Sequence, residues 1–289
     1  MLKSTNPEKA GFSPDRLARI TNKMQGYVDR GETGGILTLV AREGSVVHRS
    51  KYGYRDIDAR SPMEYDTLFR IYSMTKPIVS VALMMLFEQA RFQLSDPVYK
   101  YLPEFKQVKV LESNGKLAAP KRPITIQHLL THTAGLTYGS FGETEVDKLY
   151  QAANLFDKNR DLAEMVRQIA SLPLLYHPGE GWVYSVATDV VGRLVEVLSG
   201  QTLAEYLEEY IFRPLGMVDS FFSVPADKVG RLSTCYAETE TQKMAVYDGS
   251  ENSAFRNISL YSGGGGLVST LQDYLQFARL VLNRGYLDG

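Results

Sequence analysis

Several things are scarce in this sequence. Its 289 residues include one cysteine, one tryptophan and four histidines. With Cys235 alone, no internal disulfide and no multi-cysteine metal site can form, so nothing requires an oxidising compartment. The histidines are scattered and no His-Glu-x-x-His is present, which argues against a metal enzyme; no cofactor is expected. Neither sign of charge is in excess. The 32 basic and 33 acidic residues leave a formal net charge of −1, which gives no electrostatic reason to expect nucleic acid or an anionic membrane as partner. Long apolar runs are missing too. The longest, Pro77 to Phe87, is about half the ~20 residues a membrane helix needs. The N-terminus, MLKSTNPEKAGFSPDRLARI, lacks the apolar core of a secretory signal. The expectation is a soluble, cytoplasmic protein. No Gly-x-Ser-x-Gly elbow occurs, which argues against an α/β-hydrolase.

The apolar fraction, 44%, is ordinary for a chain with a sizeable core. Ser13-Pro14 reads as a helix cap followed by proline at the first helical position, with apolar residues then recurring at helical spacing to Gly31. GGILTLVAR (34–42) and SVVHRSKYGY (45–54) read as paired strands turning at Glu43-Gly44. A helix is expected from Ser73 to about Ala90, and a short one over 125–133, closed by Gly135. Amphipathic helices follow at 160–171 and 187–199, the second ended by Gly200. Thr202 to Glu205 forms a capping box. Strands are expected near 231–238 and 243–248, and a last helix over 271–284. The order predicts one α/β (α+β) domain over 1–289: an antiparallel sheet with strands from both ends of the chain, flanked by helices. A helical region, roughly 91–215, is inserted between the sheet-forming segments.

The chemistry centres on YSMTKPI (72–78). Pro77 is tolerated because the first four N–H groups of a helix have no intrahelical partner. Three residues are about one helical turn, so Ser73 and Lys76 share a face. The positive end of the helix dipole favours an oxyanion there and disfavours a protonated ammonium. A serine hydroxyl becomes a good nucleophile only when a neighbouring base takes its proton. The pattern alone is weak, since Ser-x-x-Lys is expected about once by chance in a chain this size, and a second copy, Ser113 to Lys116, lies in a polar loop. A converging group is needed. Tyr184, in the loop after Pro-Gly-Glu-Gly and just before a helix, is the best candidate. Its phenol could act as general base and then general acid. His132 and His177 read better as structural residues than as members of a triad. The glycine run 263–266 fits neither a P-loop nor a dinucleotide fingerprint, and reads as tight backbone packing.

Five ordered blocks, SMTK, LLTHTAGL (129–136), HPGEGWVYS (177–185), FRPLGM (212–217) and GGGGLVST (263–270), resemble the serine β-lactamase-like superfamily. It includes class C β-lactamases, D-alanyl-D-alanine carboxypeptidases and family VIII carboxylesterases, and the resemblance runs over nearly the whole chain. The Ser-x-x-Lys signature is a known one. The resemblance implies that Ser73 is the acylated nucleophile, Lys76 its proton partner and Tyr184 the first residue of the second motif. Tyr138, Val186 and Gly265 are the expected substrate-binding positions. Penicillin-processing members carry Tyr-x-Asn where this chain has Tyr184-Ser185-Val186. A valine cannot offer the side-chain amide that holds a β-lactam, which favours the esterase branch.

The resemblance also implies a third motif, Lys-Thr-Gly or a variant such as Trp-Gly-Gly, on a later strand. Only 19 residues follow Thr270, and they read as one helix and a turn. The expectation is that the final strands lie beyond Gly289, and that this chain alone is poorly stable or weakly active. The sequence thus predicts a serine carboxylesterase acting on small, short-chain esters. A β-lactamase or D,D-peptidase is the alternative within enzymes, and a noncatalytic binding relative is the alternative outside them. Oligomeric state is left open.

Overall fold

The structure is a computed structural model that describes residues 3–240 and 242–286. Ser13 caps the first helix, Pro14–Asp29, its hydroxyl accepting from the Arg16 amide at 3.4 Å. That helix lies on an antiparallel hairpin of Gly35–Arg42 and Ser45–Asp56, in register from Gly35 opposite Gly53, with an irregularity after Val40. Lys3–Ser4 joins it in parallel and Ser61–Pro62 antiparallel.

A second pairing decides where the site forms. Phe69–Arg70 runs antiparallel to Val268–Ser269, and the Ile71 amide donates to the Leu267 carbonyl at 3.0 Å. Residues just before Ser73 are thereby fastened to the end of the glycine run, bringing distant parts of the chain together through two segments that were not among the expected strands.

Between them lies the helical body. The helix Thr75–Glu88 buries Ile78, Val79, Ala82, Leu83 and Leu86. It packs on Ala187–Ser199, which buries Val190, Val191, Leu194 and Val195. Both belong to one continuous apolar core, the chief source of stability for a fold of this kind. Gly200 ends the second helix in the left-handed region at φ 80°, where glycine carries no Cβ penalty.

Some boundaries differ from the sequence expectation. The short helix is Ile126–Leu130, capped reciprocally by Thr125 and His128. His132, at φ 56°, turns the chain out of it, ahead of Gly135. The expected strands shrink to Cys235–Ala237 and Ala245–Asp248, and a 3₁₀ segment over Ala226–Arg231 takes the first residue of the expected 231–238 strand. A helix over Glu145–Ala152, capped by Thr144 and Asp147, was not expected. The second Ser-x-x-Lys, Ser113 to Lys116, forms the exposed turn of a small hairpin and meets no other polar group of the site.

Candidate active site

Ser73 sits in a single 3₁₀ turn, Tyr72–Met74, that leads directly into the helix Thr75–Glu88. Tyr72 has φ 41°, a sparsely populated conformation for a bulky residue and a form of strain that clusters at functional sites. Its partners hold it there. Ile71 is tied to Leu267, and Tyr274 donates from its hydroxyl to the Met74 carbonyl at 3.3 Å. Ser73 is consequently exposed while Lys76, one turn on, is only 9% exposed. The Lys76 ammonium donates to Ser73 Oγ at 3.2 Å and to the Gly264 carbonyl at 2.6 Å. It also faces the rings of Tyr184 and Tyr138, 4.5 and 5.3 Å from their centroids.

The Tyr184 hydroxyl donates to Ser73 Oγ at 2.7 Å. The tyrosine is set in place largely by His132. The His132 carbonyl accepts from the Val183 amide at 3.1 Å, and its Nδ1 accepts from the Ser185 amide at 3.3 Å. Its ring lies 5.0 Å from that of Tyr184. Burial, and next the nearby Lys76 charge, hold the imidazole below its ordinary titration range. It stays neutral, with Nδ1 as the acceptor that the Ser185 amide requires. His177 is elsewhere, accepting from the Lys121 amide at 3.3 Å. Both histidines therefore serve the backbone, as expected.

A cavity of about 460 Å³ opens beside Ser73, lined by Tyr72, Tyr138, Phe141, Phe156, Tyr247 and Phe255 among others. Gly265 lines it as well, so two of the three expected substrate positions reach it. Burial pushes the Tyr138 phenol up, which keeps it protonated. Val186 is the exception. It is fully buried in the core, at the residue that begins the helix Ala187–Ser199, and does not line the cavity. A valine there packs with its apolar neighbours, so no side-chain contact to a substrate is made.

Two residues that sequence reasoning passed over support the site. Arg70, buried under the wall of the cavity, donates to the Asp248 carboxylate and the Ser233 carbonyl. It also reaches the Asp248 and Gly249 carbonyls at 3.1 and 3.2 Å and Ser253 Oγ at 3.1 Å. Asp189 is completely buried in the first turn of the helix that follows Tyr184. Its Oδ1 accepts from Ser262 Oγ at 2.5 Å and from the Gly264 amide at 3.0 Å. The signal in the sequence was a lone acid among Val186, Ala187, Val190 and Val191. The glycine run packs against this helix as expected: a Cβ on Gly263 would come within 2.5 Å of the Thr188 carbonyl. Among the described residues no cluster of His, Cys, Asp and Glu could hold a metal, and no helix is long and apolar enough to cross a membrane.

Several known proteins are similar to this chain. A family model described as Beta-lactamase matches residues 20–289. Protein Rv1367c of Mycobacterium tuberculosis is 36% identical over 265 residues, covering 90% of this chain and 65% of its own length. Esterase EstB of Burkholderia gladioli is 35% identical over 272 residues, 88% of this chain and 67% of that protein. The chain thus spans about two thirds of the length of these curated relatives. Among solved structures, EstCE1, described as a hydrolase with promiscuous acyltransferase activity, superposes with a TM-score of 0.80 at 29% identity. The match covers 94% of this chain and 74% of that one. The fold is the β-lactamase/transpeptidase-like α/β fold, and the chain belongs to the beta-lactamase family.

Proposed function

We propose that this protein is a serine hydrolase that cleaves carboxylic esters of small molecules through an acyl-enzyme on Ser73. The observation that carries it is the convergence of two proton-bearing groups on one exposed hydroxyl, Lys76 at 3.2 Å and Tyr184 at 2.7 Å, at the mouth of an apolar cavity. In the reactive form the Lys76–Tyr184 pair has given up one of its protons, and as Ser73 Oγ attacks the ester carbonyl carbon its own proton passes to the member left unprotonated. The carbonyl oxygen becomes an oxyanion beside the helix N-terminus, where the Ser73 amide is a donor. Collapse breaks the bond to the alkoxy oxygen, which leaves as the alcohol with that proton. Water then attacks the acyl carbon, gives its proton to the same pair, and Ser73 Oγ is released and reprotonated.

EstB supports the ester reading by its name and by its 35% identity. The cavity supports an apolar acyl group, since seven aromatic residues together with Ala254, Ile258 and Leu260 line it. Val186 weighs against β-lactams. Its apolar side chain is buried and offers no amide to such a substrate. Hydrolysis of p-nitrophenyl butyrate, compared with nitrocefin, tests this. Ester turnover well above lactam turnover is expected, and the reverse order would overturn the assignment.

A second reading is acyl transfer to an alcohol. Tyr72, Phe141 and Tyr247 stand exposed around the serine and would hold an apolar acceptor better than water, and EstCE1 is described as having such activity. An alcohol added to the esterase assay would then divert the acyl group into a new ester.

A further inference from the structure

Among the described residues, Asp189 is a fully buried acid next to the site that the proposed mechanism leaves unused. It stands five residues after Tyr184, fully enclosed, with Oδ1 committed to Ser262 Oγ and the Gly264 amide. Its Oδ2 has no hydrogen-bond partner among the described residues. Gly264 is also the residue whose carbonyl accepts from Lys76 at 2.6 Å. One peptide segment is therefore gripped from both sides, by the carboxylate at its N–H and by the lysine at its C=O. The space there is closed, because a Cβ on Gly264 would lie 2.5 Å from Asp189 Oδ2 and 2.8 Å from the Tyr138 hydroxyl.

We propose that Asp189 is the positioning residue of the proton relay: through Ser262 and the Gly264 amide it aims the Gly264 carbonyl at Lys76 and so fixes the lysine against Ser73. The same carboxylate sits in the first turn of the helix that Tyr184 leads into, so both partners of the serine are referenced to one point in the core. Burial raises the carboxyl above its ordinary range, opposed by the Ser262 and Gly264 bonds and the Lys76 charge. The other groups facing Lys76 are the rings of Tyr184 and Tyr138 and the His132 imidazole. None of those three holds the Gly264 amide, which leaves that task to Asp189.

The inference rests on the hydrolase reading, and its test separates the two. Asp189→Val, Asp189→Asn and Ser262→Ala would be made in the full chain and their melting temperatures recorded. Two readouts follow: the rate at which a fluorophosphonate labels Ser73, and the 13Cε resonance of Lys76, assigned with Lys76→Arg. Asp189→Val removes both acceptors and should slow labelling roughly tenfold or more, since small misplacements of reacting groups are costly. Asp189→Asn keeps a side-chain oxygen for Ser262 and Gly264 and should stay within roughly threefold of the parent. Ser262→Ala loosens one bond only, and should slow labelling by a few fold with little change in melting. In the valine and alanine variants the Lys76 resonance should move, while asparagine restores it. A parent whose Ser73 is never labelled refutes the hydrolase reading. A Lys76 resonance unmoved in folded Ser262→Ala and Asp189→Val refutes the positioning role, whatever Ser73 does.

Discussion

Replacing Tyr184 by phenylalanine removes one hydroxyl and little else. The ring keeps its neighbours: Tyr138 at 5.5 Å, Phe141 at 6.0 Å, His132 at 5.0 Å and the Lys76 ammonium at 4.5 Å. The lost hydrogen bond goes to an exposed serine, so the effect on folding should be at most about 1 kcal/mol. The effect on the reaction should be far larger. A positioned acid–base group contributes about 10²–10⁴-fold, or about 3–5 kcal/mol of barrier. Turnover of p-nitrophenyl butyrate should thus fall by that factor at an essentially unchanged melting temperature. The two measurements on one preparation separate chemistry from folding. Activity within about tenfold of the parent would show that Lys76 alone moves the proton, and would refute the shared relay.

Other consequences can be read from the same contacts. Arg70→Met leaves the Asp248 carboxylate, 12% exposed, without its cationic partner and with only Ser253 and the Ala254 amide to donate to it; denaturant unfolding should register a loss of about 3–5 kcal/mol, and activity should fall with the displaced Tyr247 and Phe255 walls. Gly264→Ala inserts a methyl between Asp189 and Tyr138. The overpacking should cost about 1–3 kcal/mol, and an unchanged melting temperature would contradict the tight packing described. His132 is held neutral below the ordinary histidine value of 6.5. The unfolded chain therefore takes up its proton at higher pH than the folded one, and stability present above that value is lost as pH falls through the lower, folded value. Partly buried His48 and His128 act in the same sense. Melting temperature should drop between about pH 7 and 5, and less steeply in His132→Gln; identical slopes would remove His132 from the account.

Much of this was legible in the sequence where local chemistry and tertiary structure agree. The Ser13 cap, the Gly200 terminus and the Thr202–Glu205 box set helix ends by short-range hydrogen bonds, and the structure has each of them. Ser73, Lys76 and Tyr184 were singled out by the family resemblance of five ordered blocks, the Ser-x-x-Lys spacing alone being weak, and they do meet in space. What escaped depends on long-range contacts. The helix Glu145–Ala152 sets Val146, Leu149 and Tyr150 at helical spacing but is only about two turns long, and Asp147 anchors it by accepting from the Thr137 hydroxyl in the preceding loop. Val186 could not be told from a surface residue of a motif, because its burial is decided by the core that its helix joins. Asp189 looks like an ordinary first-turn acid until the distant Ser262 and Gly264 are folded onto it.

The central claim is that Ser73 is the nucleophile and that Lys76 and Tyr184 activate it. Peptide mapping after reaction with a fluorophosphonate tests it most directly. The account predicts one phosphonylated residue, Ser73, with labelling abolished in Ser73→Ala and strongly slowed in Lys76→Met. Labelling of another serine, or equal labelling of Ser73→Ala, would contradict it.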